Sequence, residues 1–66
     1  GLSHLSIAGS TLTVSSASKQ SRVTLYEVGG VQVAQTTLAG GVATLQLPGH
    51  GVYIVAVGSE RYKIAY

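Results

Sequence analysis

Two carboxylates, Glu27 and Glu60, and two histidines, His4 and His50, are the side chains of this 66-residue sequence that could move a proton or hold a metal; there is no aspartate and no cysteine. Acid–base catalysis by paired carboxylates requires both in one cleft. Glu27 closes an apolar-alternating run and Glu60 follows a Gly-Ser turn, where solvated surface is the ordinary expectation. A protein zinc site needs three or four His, Cys or carboxylate donors, more than two histidines in polar or turn contexts supply. Serines are frequent, yet a nucleophile needs an oriented base and an oxyanion site, and no Gly-x-Ser-x-Gly elbow occurs. The pairs Gly29-Gly30 and Gly40-Gly41 could approach a phosphate only if one opened a helix. Each is read as a turn. The chemistry-bearing residues thus point away from an enzyme, a metal site or a bound cofactor.

Charge excludes another class. Charged residues are 9% of the chain, against about 25% in an average globular domain, and the net charge is +2. Lys19, Arg22, Arg61 and Lys63 are scattered along the sequence, whereas a nucleic-acid binder clusters its cations, so no nucleic-acid partner is expected. No uninterrupted apolar run approaches the ~18 residues of a membrane-spanning helix. No basic-then-apolar leader opens the sequence, so an exported protein would carry its leader on a segment upstream. Residues 1–66 make one domain, and a chain of this size buries only roughly 60% of the surface its unfolded form exposes. Without a disulfide, apolar burial must hold it, and 45% hydrophobic content makes that feasible.

The elements that would position any site are all strands. Residues 51–57, Gly-Val-Tyr-Ile-Val-Ala-Val, lie between Leu47-Pro48-Gly49-His50 and Gly58-Ser59; β-branched and apolar on both alternating faces, they predict a central strand buried on both sides. Residues 61–66 alternate Tyr62, Ile64 and Tyr66 against Arg61, Lys63 and Ala65, predicting a final, half-exposed strand. Earlier runs at 2–8, 11–15, 22–28, 31–35 and 42–47 alternate too, with Leu5 and Ile7, Leu12 and Val14, Val23 and Leu25, and Ala43, Leu45 and Leu47 on their apolar sides. Residues 16–21, small and polar, predict a surface loop. Gly29-Gly30 joins two of the runs directly, which predicts a two-residue hairpin turn of the primed type. About seven short strands and no helical periodicity give an all-β fold class, a small antiparallel immunoglobulin-like β-sandwich.

Within this pattern, Leu25-Tyr26-Glu27-Val28-Gly29-Gly30-Val31-Gln32-Val33, then Leu45-Gln46-Leu47-Pro48-Gly49-His50-Gly51-Val52-Tyr53-Ile54-Val55-Ala56-Val57, then Tyr62-Lys63-Ile64 resembles the C-terminal sorting domain of type IX secretion cargo in Bacteroidota. The likeness covers nearly the whole chain; Gly29, Gly30, Pro48, Gly51, Val52, Tyr53, Ile54 and Val55 carry its structural motif. Two departures stand out. An extra residue lies around His50 in the approach to Tyr53, and the sequence ends Ile64-Ala65-Tyr66 in place of an apolar pair and lysine. The resemblance implies a non-catalytic export signal behind an upstream passenger, read by outer-membrane secretion machinery and then cut off by a sortase-like cysteine protease. It implies a route through the periplasm to the outer membrane or cell surface; a native chain that stops at Tyr66 would favour this reading over a spacer, which would continue beyond it. The terminal strand, Arg61, Tyr62, Lys63, Ile64, Ala65 and Tyr66, is the candidate recognition element. The competing reading is a β-sandwich adhesion or spacer module of a surface protein. Short edge strands with few charges also predict homodimers or strand swapping at high concentration.

Overall fold

The computed structural model describes residues 3–66 and contains seven strands in two antiparallel sheets. They are β1 (Ser3–Ala8), β2 (Thr11–Ser16), β3 (Arg22–Glu27), β4 (Gln32–Thr37), β5 (Val42–Gln46), β6 (Val52–Val57) and β7 (Glu60–Ala65). The first sheet has the order β1-β2-β5 and the second β4-β3-β6-β7. The chain changes sheet between β2 and β3, between β4 and β5 and between β5 and β6, which makes the all-β sandwich immunoglobulin-like. Residues 17–21 form the first of these crossings, close to the expected loop; the expectation for Leu2 in the first strand lies outside the described residues.

Alternation puts one side of each strand into the space between the sheets. Leu12 and Val14 of β2 and Ala43 and Leu45 of β5 meet Val23 and Leu25 of β3 and Tyr53, Val55 and Val57 of β6. Leu38 and Leu47, buried in two of the crossings, close the ends. Leu5 packs against the rim of this core while Ile7 stays largely exposed, because β1 is an edge strand. No buried side-chain nitrogen or oxygen among the described residues lacks a hydrogen-bond partner.

Two details differ from expectation. Gly29-Gly30 does not form a primed two-residue turn: Gly30 N–H donates to the Glu27 carbonyl (2.8 Å) and Glu27 N–H to the Val31 carbonyl (2.8 Å). The loop is therefore Val28-Gly29-Gly30, a three-residue connection. Only Gly30 takes a positive φ (+100°), whereas a type I′ turn needs one at both central residues and a type II′ turn at the first. Second, β6 is central in hydrogen bonding, between β3 and β7, but one of its faces has no sheet over it. Tyr53, Val55 and Val57 are buried on one face; on the other Val52 is exposed, Ile54 half-buried and the small Ala56 buried. A two-layer sandwich covers each sheet once, so a strand apolar on both faces leaves one of them outside.

Candidate functional site

Strand β7 lies at the edge of the four-stranded sheet and pairs only with β6, in the register Val57↔Glu60, Val55↔Tyr62 and Tyr53↔Ile64 on the inner side and Ala56↔Arg61, Ile54↔Lys63 and Val52↔Ala65 on the outer. Tyr62 and Ile64 pack against the core, and Arg61, Lys63 and Ala65 are exposed, as the alternation predicts. Tyr66 falls one residue beyond the strand, yet it too packs on the core. Its backbone is paired reciprocally with Gly51: Tyr66 N–H donates to the Gly51 carbonyl (2.8 Å) and Gly51 N–H to the Tyr66 carbonyl (2.9 Å). Its ring stacks on His50 at a centroid distance of 4.4 Å and an interplanar angle of 22°. The two departures from the sorting-domain pattern, the residue around His50 and the terminal tyrosine, are thus partners in space.

The near end of β7 is fastened differently. The two-residue turn Gly58-Ser59 keeps Glu60 opposite Val57, on the inner row, so this carboxylate is half-buried and not the solvated turn residue the sequence suggests. Its Oε1 accepts hydrogen bonds from the Tyr62 hydroxyl (2.6 Å) and from Ser3 Oγ (2.9 Å). Ser3 belongs to β1, the edge of the opposite sheet, so one open side of the sandwich is bridged by polar side chains.

The segment from Leu47 to Tyr53 makes the corner that launches β6. Pro48 and Gly49 are exposed after β5, and the Tyr53 hydroxyl returns to donate to the Gly49 carbonyl at 2.6 Å. A tyrosine near the start of a strand, hydrogen-bonded to backbone a few residues upstream, is the tyrosine corner of immunoglobulin-like domains. Sequence reasoning found the motif residues Pro48, Gly51, Val52 and Tyr53 but not this bond; the four-residue spacing from Gly49 to Tyr53 was the available signal.

On the outer side of the four-stranded sheet lies an open depression of about 310 Å³ lined by Tyr26, Glu27, Val28, Gly30, Ile54 and Arg61. The sequence reading singled out Glu27, Gly30, Ile54 and Arg61 of these, but not their convergence. Counting outward positions across β3, β6 and β7 would have revealed the shared face.

Among the described residues the two carboxylates and two histidines stay apart. Glu27 is paired with Tyr53 and Glu60 with Val57, four residues apart along β6 or about 13 Å. Among the described residues no three His, Cys, Asp or Glu side chains cluster as a metal site. His4 is exposed on β1, and among the described residues no helix is long and apolar enough to cross a membrane. Comparison with protein-family models, with curated proteins and with solved structures finds no match to this chain.

Proposed function

We propose that this domain is a non-catalytic sorting signal of the type IX secretion kind, recognised by the outer-membrane translocon through the outward face of β7. One observation carries the reading. The residues of the resemblance are scattered over 25–33, 45–57 and 62–64 in sequence, but nearly all fall on one sheet, β4-β3-β6-β7, and on the Tyr53 corner that feeds it. β1 and β2 lie outside the motif. A signal read by shape needs a rigid support and an accessible strand edge, and this sheet supplies both. Tyr62, Ile64 and Tyr66 anchor the strand, while Arg61, Lys63 and Ala65 face outward at its edge. On this reading the passenger lies upstream, the route runs through the periplasm to the cell surface, and a sortase-like cysteine protease removes the domain afterwards.

The test is a reporter fused ahead of this domain in a type IX-competent bacterium, comparing the intact fusion with Arg61→Ala/Lys63→Ala. Both side chains are exposed, so the variant should keep its fold within about 0.5 kcal/mol per site, while surface delivery of the reporter drops severalfold. An intact fusion that stays inside the cell contradicts the sorting role itself. Full delivery by the folded double variant contradicts only the assignment to the outward face of β7.

A further inference from the structure

The outer side of the four-stranded sheet sorts its residues along its length. Alternation sends Arg22, Thr24 and Tyr26 of β3, Val52, Ile54 and Ala56 of β6, and Arg61, Lys63 and Ala65 of β7 to that side. Three of the chain's four lysines and arginines therefore share one face, Lys19 lying in the crossing between β2 and β3. At one end of the face, Val28 and Val31 flank Gly29-Gly30 at the hairpin tip, each 61% exposed. Val52, 38% exposed, adjoins them, its carbonyl accepting from Val28 N–H at 3.2 Å. Next along the sheet comes the row Tyr26–Ile54–Lys63, then Thr24–Ala56–Arg61, of which Thr24 and Ala56 are buried and Arg61 is exposed, and Arg22 at the far end.

Apolar tip, then a tyrosine, then cations is the order a bilayer presents in depth, from acyl chains through the interface to the phosphates. The spacing fits as well. Lys63 is two residues beyond the Val52 row, about 7 Å along the strands, and interfacial elements sink about 5–10 Å below the headgroups. The outward rows carry three cations and no carboxylate: Glu27 is paired with the inner-row Tyr53, although it is exposed and borders the depression, and Glu60 is turned inward to the Ser3 and Tyr62 hydroxyls. A second copy would bring like charges together, so self-pairing through this face is opposed. We propose that this face is a docking surface for an anionic lipid bilayer, with Val28 and Val31 inserted below the headgroups, Tyr26 at the boundary, and Lys63 and Arg61 on the lipid phosphates. The proposal stands independently of the sorting role.

Co-sedimentation with vesicles tests it, using phosphatidylglycerol mixed with phosphatidylcholine against phosphatidylcholine alone. The domain should partition onto the anionic vesicles and be released by high salt. Lys63→Gln should weaken partitioning about fivefold, the usual worth of one cation near an anionic surface. Lys19→Gln, the same loss of net charge on another part of the surface, should weaken it less. Val28→Ser/Val31→Ser should weaken it roughly tenfold through lost apolar contact, and Glu27→Gln should strengthen it. Both valines are exposed, so circular dichroism of the paired variant should match the parent domain. Absence of sedimentation with anionic vesicles overturns the proposal. So does equal weakening by Lys19→Gln and Lys63→Gln, which would mean undirected attraction of a cationic protein, and so does a serine pair that binds like the parent.

Discussion

Leu25 and Ile54 separate two kinds of apolar residue that look alike in the sequence. Leu25 is fully buried between the sheets, whereas Ile54 sits on the outer side of β6 against Tyr26 and Lys63. Leu25→Ala should lower stability by roughly 2–5 kcal/mol, the range for a buried aliphatic truncation. Against a total stability of about 5 kcal/mol for so small a domain, that approaches unfolding. Ile54→Ala, which opens no cavity in the core, should cost about 1 kcal/mol. Urea denaturation of both variants checks the contrast, and equal midpoints would contradict the assignment of an inner and an outer face to this sheet. Tyr53 carries a separate term. Tyr53→Phe keeps the buried ring but leaves the Gly49 carbonyl without its donor, and should cost about 1 kcal/mol, the net value of a typical hydrogen bond.

Strand β7 is an element held at both ends by side chains that propensity alone does not reveal. At one end Glu60 gathers the Tyr62 and Ser3 hydroxyls; at the other the Gly51 backbone pair and the His50 stack hold Tyr66. A double-mutant cycle on His50→Ala and Tyr66→Ala should give a coupling of about 0.5–1.5 kcal/mol, as for other stacked rings, and a coupling near zero would mean the two rings merely share space. The strands themselves were legible in the sequence, because pairs such as Leu12/Val14 and Ala43/Leu45 repeat at the period of two that a half-buried strand imposes. Their ends moved by a residue or two where turn hydrogen bonds, not side-chain pattern, set the limit. The Gly29-Gly30 loop was misread because glycine tolerates both turn geometries, so its presence does not choose between them. Glu60 was legible in principle: a two-residue turn after the inward Val57 forces the next paired residue inward as well. Which strands share a sheet was not legible, since alternation records that a face is buried and not which partner buries it.

At the scale of the molecule, the sandwich leaves four edges, and they are not guarded alike. β7 presents Arg61 and Lys63, and β1 is tied across to β7 through Ser3 and Glu60. β5 is short, and Ala39, just ahead of it, folds back to pair with Val42. β4, in contrast, reads Gln32-Val33-Ala34-Gln35-Thr36-Thr37 without a charge or a proline and pairs on one side only; its one irregularity is a register shift at Val33, which leaves Ala34 to Thr37 regular. Such an edge offers its backbone donors and acceptors to another strand of the same kind. Association at high concentration should therefore run through β4, two copies pairing antiparallel about a two-fold axis to extend the four-stranded sheet. Light scattering over a concentration series should show the average mass rising above that of the monomer. Gln35→Lys should suppress the rise, because Gln35 is exposed and a two-fold pairing through β4 brings the two lysines close together. On a free monomer the same substitution gives up one long hydrogen bond, from Gln35 Nε2 to the buried Thr24 Oγ1 (3.4 Å), and should lower the thermal midpoint only slightly. A parent domain that stays monomeric at every concentration, or a lysine variant that associates as readily as the parent, would take the β4 edge out of consideration.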